Sequence, residues 1–271
     1  MEQWLEGGNA GGAVLVDGTV RRPTGPWTPS VHALLRHLEH HGFEGSPRAR
    51  GVDHHGREIL SFVPGATIGT KRPWPSWVHS DDALQQIGGW LRAYHDCVSD
   101  FVPPVGATWR AVSHAWRPGD VIGHNDAAPY NAVWQTLPDG RTDLVGFIDW
   151  DFASPCAPIW DLAFVASAWV PLHNREAARS EGFDDFAARP RRLRMLLDAY
   201  GWTGTAAEVL DAVRARIVDH IRIVRELAKG DPVFQRQVDA GAQVDLQLTD
   251  IHETLRQFDR DRSGLDPEQP G

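Results

Sequence analysis

The sequence predicts an α+β fold in two lobes. A small N-terminal β-rich lobe with one helix covers residues 1–64, and a larger, mainly helical lobe covers 65–271. Three observations predict it. Turn-punctuated apolar runs of strand length fill residues 1–62 around a single stretch of helical period. A segment rich in Pro and Gly, "VPGATIGTKRPWPSW", then breaks the pattern. Beyond it, apolar residues recur mostly at helical spacing.

Taken in order, "QWLEGG" reads as a strand ending in glycines. "GAVLVDGTVRR" reads as a hairpin, because Asp17-Gly18 is a two-residue turn signal between apolar runs. Pro23, Pro26 and Pro29 mark a loop. "SVHALLRHLEHHG" places Val31, Leu34, Leu35 and Leu38 on one helical face, with Ser30 as N-cap and Gly42 just past the end. Two short strands, "SPRARGVD" and "GREILSFV", flank the turn-rich "DHHG". After the boundary near Pro64-Gly65, "DDALQQIGGWLRAYHDCV" is one amphipathic helix. Short strands follow at Val121-Ile122, Ala132 to Gln135 and Leu144 to Ile148, with a Pro138-Asp139-Gly140 turn between the last two. Helices are expected over 159–169, about 184–200, 205–229 and 232 to about 259.

Composition excludes several functions. The net charge of −9 opposes a general nucleic-acid partner, which calls for a basic surface. No stretch approaches the roughly 20 apolar residues of a membrane helix, and "MEQWLEGGNA" lacks the features of a signal peptide. A cytoplasmic protein with no membrane partner is therefore expected. The two cysteines, Cys97 and Cys156, form no CxxC pair, which argues against a disulfide scaffold or a cysteine zinc site. Lys71 and Lys229 are the only lysines, and no GxxxxGK[ST] stretch exists, so a Walker-type site is excluded.

The chemistry concentrates in "VIGHNDAAPYNAVW" and "VGFIDWDFASP". Phosphoryl transfer needs a carboxylate near the attacking hydroxyl and oxygen ligands for magnesium. Magnesium takes one or two protein carboxylates or amides and keeps several waters. Asn131 begins one strand and Asp149 follows the next. If the strands pair as a hairpin, both can converge on one ion. Asp126, in the loop before Asn131, then faces the incoming hydroxyl. The spacing is H-x-D-x-x-x-x-N followed by an Asp after an apolar strand, a kinase catalytic-loop pattern. On residue type alone, Asp126 and Asn131 also suit turn and strand caps.

With "WDLAFVA" added, these stretches resemble the aminoglycoside phosphotransferase family of protein-kinase-like enzymes. The likeness runs from the glycine turn near Gly7 to the helices after Asp161. It implies a protein-kinase-like two-lobed fold and phosphorylation of a small-molecule hydroxyl by ATP or GTP with Mg²⁺, aminoglycosides being among the candidate acceptors. By position, Asp126 resembles the catalytic base and His124 the residue that braces its loop. Asn131 and Asp149 resemble the magnesium ligands, and Asp161 a residue that ties the helical lobe to the loop. Asp161 also suits a plain N-terminal helix acid. The nucleotide base is expected against backbone near Ser61 to Val63.

The sequence departs from the family in four places. Asn125 stands where the family usually has Gly. The phosphate-gripping lysine is absent, and Arg22 is preferred to Arg21 because alternation sets it with Val20 on one face. The helix glutamate that would pair with this cation is missing: Val31 or His32 falls at its position, and Glu39 is two turns on. "GGNAGG" is no GxGxxG loop. These departures keep open an alternative, a nucleotide-binding regulator (a pseudokinase) without turnover. A magnesium-dependent phosphoesterase using the same carboxylates ranks below both.

Other clusters read more plainly. Asp151 is expected as a solvated or structural neighbour of Asp149. His37, His40 and His41 share a helical reach, but no carboxylate or cysteine evidently completes a tetrahedral set, so they read as a solvent-facing histidine-rich face. Trp74, Trp77 and Trp90 read as core packing. Glu181, Asp184 and Asp185 read as a solvated acidic loop or as a run that attracts a cationic substrate.

Overall fold

The structure is a computed structural model that describes residues 2–5, 12–69, 71–230 and 243–265. Two expectations fall outside them: the glycine turn starting at Gly7 and the first turns of the helix expected from 232. The chain divides into two compact units. One comprises residues 1–70 and 89–161, the other 71–88 and 162–271.

The first unit opens with a five-stranded antiparallel sheet in the order β1-β2-β3-β5-β4. Its strands are β1 (Gln3–Trp4), β2 (Val14–Val16), β3 (Thr19–Pro23), β4 (Ala49–Val52) and β5 (Arg57–Ser61). Asp17 and Gly18 both take positive φ, 48° and 73°, the geometry of the tight hairpin turn that this dipeptide favours. β3 pairs with β5 so that Arg22 lies opposite Glu58 and Arg21 opposite Ile59.

Helix α1 (Thr28–His40) buries Val31, Leu34, Leu35 and Leu38, the face expected from their spacing. Its start differs from expectation. The helix begins at Thr28, and Trp27 occupies the cap position without a side-chain hydrogen bond. Pro29, with its fixed φ and no amide hydrogen, suits the first turn, and the start lies three residues upstream of the expected one. Ser30 sits inside that turn, where its hydroxyl accepts from the Thr108 amide at 2.9 Å.

In its second stretch this unit adds two strand pairs. β6 (Val121–Gly123) pairs with β9 (Ser154–Cys156), and β7 (Ala132–Thr136) pairs with β8 (Thr142–Phe147), all antiparallel. An aromatic core lies among them: the Trp90 ring stacks on Tyr94 with centroids 5.4 Å apart and approaches Phe147 at 4.4 Å. Trp90 is therefore core packing, with its indole N–H donating to the Gly45 carbonyl at 3.1 Å. Residues 90–97 belong to α2 (Asp81–Cys97), within which the division between units falls.

The second unit is helical: α3 (Pro158–Trp169) from residue 162, α4 (Arg175–Ser180), α5 (Arg189–Tyr200), α6 (Ala206–Leu227) and α7 (Gln243–Asp261). The single helix expected over 184–200 is a short 3₁₀ turn, Phe186–Ala188, followed by α5, which has Pro190 in its first turn. α5 ends at Gly201 with φ 74°, as expected of glycine at that position. α6 opens with a capping box in which Thr205 and Glu208 satisfy each other's amides. Buried Arg192 gives one N–H to the Trp169 carbonyl at 2.9 Å and another to the His79 carbonyl at 2.6 Å. Among the described residues, no helix is long and apolar enough to cross a membrane.

Candidate active site

The site lies in the first unit and starts at β6. After Gly123 the chain turns sharply, and Asn125 takes φ 61° in the left-handed region. Glycine enters that region most easily and asparagine is among the next most tolerant residues. That is the physical reason Asn125 can stand where the family usually has Gly. Its Nδ2 also anchors the turn, donating to the Gly123 carbonyl and to both the carbonyl and the hydroxyl of Ser154, at 3.0–3.2 Å.

Asp161 closes the turn from the other side. Its carboxylate accepts the amides of His124 and Asn125, each at 2.8 Å, and faces His95 Nε2 at 3.2 Å. It is fully buried. Burial opposes its charge, but the His95 hydrogen bond, the charge interactions with His95 and His124, and the Asn125 amide outweigh this. The carboxyl is held below its ordinary value. Gly123 permits the approach, because a Cβ there would come within 2.9 Å of the Asp161 carboxyl carbon.

His124 is enclosed by aromatic rings, with Trp150 at 4.5 Å and Phe147 at 5.7 Å between centroids. Burial drives its pKa down to about 4, against the opposing charges of Asp161 and Asp149, so the imidazole is neutral. Its Nδ1 accepts the Asp126 amide at 3.3 Å.

Asp126 and Asn131 meet directly. Asn131 Nδ2 donates to Asp126 Oδ2 at 2.8 Å and to the Asp126 carbonyl at 2.9 Å. With Nδ2 committed to Asp126, Oδ1 is the atom of this amide that can ligate a metal. Asp126 Oδ1 accepts from the Tyr130 hydroxyl at 3.0 Å. The β7–β8 register places Ala132 opposite Phe147, and the Ile148 amide donates to the Asn131 carbonyl at 3.0 Å. Asn131 thus sits beside the residue preceding Asp149. Asp149 itself has φ 63° and ψ 65°, a second left-handed residue.

Arg22 joins the sheet to this group. Its Nε meets Glu58 Oε1 at 2.5 Å, Nη1 meets Asp149 Oδ1 at 2.8 Å and Nη2 meets Asp151 Oδ1 at 2.5 Å. Burial disfavours its charge, yet Asp151, Asp149 and Glu58 more than compensate, and the guanidinium pKa is raised. Arg21 lies 3.8 Å from Asp53 instead. Glu58 is buried, and its Oε2 binds His32 Nε2 at 2.8 Å. The carboxylate that pairs with the cation therefore comes from β5, while α1 contributes His32. Glu39 pairs with Arg50 at 2.8 Å.

Of the two readings of Asp151, the structural neighbour of Asp149 holds, its side chain being largely buried. It stands between Arg22 and Arg110, whose Nη1 is 3.3 Å from Asp151 Oδ2. Arg110 in turn lies 4.8 Å from the Trp27 ring centroid and 4.9 Å from that of Phe152. Ser61 ends β5. Its amide donates to the Arg48 carbonyl at 2.9 Å and its hydroxyl accepts from the Arg48 amide at 2.8 Å, so both serve the sheet. Val63 follows the last strand residue by two positions and is half-buried.

The arrangement brings Arg22 onto Asp149, and Asp126 onto Asn131. Asn131 Oδ1 and the Asp149 carboxylate are hard oxygen donors of the kind magnesium takes, so this donor set fits that ion. Sequence reasoning missed Glu58, His95, Arg110 and Tyr130. Glu58 carried no local signal, since it meets Arg22 only through the β3–β5 register. Arg110 carried none, since it lies in the irregular segment before β6.

The model of the phosphotransferase enzyme family matches residues 105–196. The trifolitoxin immunity protein of Rhizobium leguminosarum bv. trifolii is 35% identical over 204 residues, 73% of this chain and 73% of that protein. Among solved structures, the GDP complex of wild-type aminoglycoside 2'-phosphotransferase-IIIa aligns with TM-score 0.62 at 16% identity, covering 95% of this chain and 93% of the other. A choline/ethanolamine kinase family protein from Mesorhizobium loti aligns with TM-score 0.56 at 14% identity, covering 96% and 90%. These likenesses give the fold, that of the protein-kinase-like phosphotransferases. The relative and the family model together extend this from fold to kinship: the chain belongs to the phosphotransferase enzyme family.

Proposed function

We propose that this chain transfers a phosphoryl group from ATP or GTP to a hydroxyl of a small molecule. The observation that carries the reading is the Asp126 carboxylate, fixed by Asn131 and continuous through the β7–β8 pair with Asp149 and Arg22. In this reading residues 1–64 form the nucleotide-binding lobe and residues 65–271 supply the catalytic and substrate-binding groups. Asp126 orients the acceptor hydroxyl and takes its proton. His124, neutral and buried, braces the loop. Asn131 Oδ1 and the Asp149 carboxylate would hold Mg²⁺, which supplies charge neutralisation on the nucleotide phosphates. Arg22, held by Glu58, presents its guanidinium to the phosphates from the sheet, and backbone from Ser61 to Val63 receives the base.

The acceptor class is open to direct measurement. Structural neighbours include a GDP and kanamycin complex and a macrolide 2'-phosphotransferase. The test is a phosphate-transfer screen over aminoglycosides, macrolides, amino alcohols and sugars with both ATP and GTP. Trifolitoxin belongs in the panel, because the 35% identical relative is named for immunity to it. Asp126→Ala and Asp149→Ala are each expected to abolish transfer, with Asp126→Ala lowering kcat roughly 10²–10⁴-fold or more while circular dichroism stays unchanged. A purified Asp126→Ala enzyme with full transfer activity sinks the mechanism.

A second reading is favoured by one observation: the cation in place of lysine is already engaged by three carboxylates. Under it the chain binds nucleotide as a regulator without turnover. Saturable Mg-nucleotide binding with no transfer across the whole panel selects that reading.

A further inference from the structure

The last turn of α1 carries His37 and His40, and His41 is its C-cap residue. His37 and His41 are one turn apart, and their ring centroids lie 4.2 Å from each other. The sequence shows no third ligand near them, but the fold supplies one. Asp100, three residues past the end of α2, brings Oδ1 to 3.4 Å from His37 Nε2. One ligand atom from each of His37, His41 and Asp100 lies within 4.8 Å of the other two. Two ligands bonded to one tetrahedral ion at zinc-like lengths are about 3.4 Å apart. The His37–Asp100 pair already has that spacing. His41 and Asp100 are exposed, so side-chain rotation alone can close the remaining gap.

We propose that His37, His41 and Asp100 form a second cation site, for a borderline-soft divalent ion such as Zn²⁺. It is separate from the oxygen donors Asn131 and Asp149. Two imidazoles and one carboxylate select zinc, copper or nickel over magnesium or calcium, and water completes the tetrahedron. His37 Nε2 also lies 2.9 Å from the Cys97 carbonyl. As a ligand this nitrogen carries no proton, so the contact with Cys97 is exchanged for the bond to the ion. The edge of Phe101, with centroids 5.0 Å apart, packs against the His37 ring. The ion would clip the end of α1 to the turn after α2, both in the same compact unit. The same helix carries His32, the partner of Glu58, in an earlier turn.

The experiment is calorimetric titration of the full chain with ZnCl₂ in chelator-free buffer, with MgCl₂ as the control ion. About one Zn²⁺ per chain is expected, with His41→Ala and Asp100→Asn each raising Kd by at least about tenfold. His40→Ala and His54→Ala are expected to bind as the parent does; His54 tests the other histidine pair, His54-His55. Zn²⁺ is also expected to raise the parent's Tm and to leave that of Asp100→Asn unmoved. Because His41 and Asp100 are exposed, both variants should match the parent's Tm without zinc. Zinc binding in His41→Ala or Asp100→Asn as tight as in the parent, no zinc binding by the parent, or Mg²⁺ binding there equally well overturns the proposal.

Discussion

Asn125 carries two opposing effects. A left-handed backbone costs an ordinary L-residue about 1–2 kcal/mol, and asparagine less. Its side chain then contributes hydrogen bonds to Gly123 and Ser154. Asn125→Ala keeps the strained φ and loses the bonds, so we expect it to destabilise the protein by about 1–2 kcal/mol. Asn125→Gly loses the same bonds but relieves the strain, and should cost less. Urea unfolding of the two variants checks the order; glycine worse than alanine would contradict it. Asp126, Asn131 and Asp149 were legible in the sequence because their relation is local: five positions within one loop, then the next strand of a hairpin. Tyr130 was equally local, yet nothing in its spacing announces that its hydroxyl meets Asp126 Oδ1. That contact depends on the path of the 3₁₀ turn Pro129–Asn131, which residue type does not specify.

At the scale of elements, β3, β5 and α1 are linked by one chain of side-chain hydrogen bonds: Arg22, Glu58 and His32. Removing one partner of a buried pair leaves the other uncompensated. Glu58→Ala is expected to destabilise the fold by about 3 kcal/mol and to raise the KM for nucleotide, with the loss read by urea unfolding. Unchanged stability would mean that Asp149 and Asp151 suffice to hold Arg22. The β2–β3 hairpin, the buried face of α1 and the β7–β8 pair were all legible from period and turn chemistry. The pairing of β3 with β5 was not, because it joins residues 36 positions apart and register across such a gap has no local signature. β9 and α4 escaped notice for another reason: at 3 and 6 residues they are too short to establish a period.

For the molecule as a whole, burial of His124 ties stability to pH. The unfolded imidazole takes up a proton near 6.5, the folded one only near about 4. Between these values the unfolded chain binds more protons. Stability is therefore full above pH 6.5 and declines by about 3 kcal/mol as pH falls toward 4. Asp161 acts in the same direction at lower pH, because its depressed carboxyl loses its contribution as it protonates. Denaturant midpoints from pH 8 to 4 should show the decline, and His124→Gln should flatten its upper part; a parent profile flat across that range would contradict the assignment. The two-part α+β character and the family resemblance were both legible at this scale. The grouping of residues 89–161 with the first 70 was not, since it depends on contacts between distant stretches. The placement of Asp161 adds a constraint of timing. A nascent chain that has emerged only through Asp149 already contains Asp126, Asn131 and Asp149, but lacks the carboxylate that holds the amides of His124 and Asn125. Translation must proceed a further dozen residues before the loop can be locked, so a ribosome paused between these points holds every proposed reacting group and no finished site.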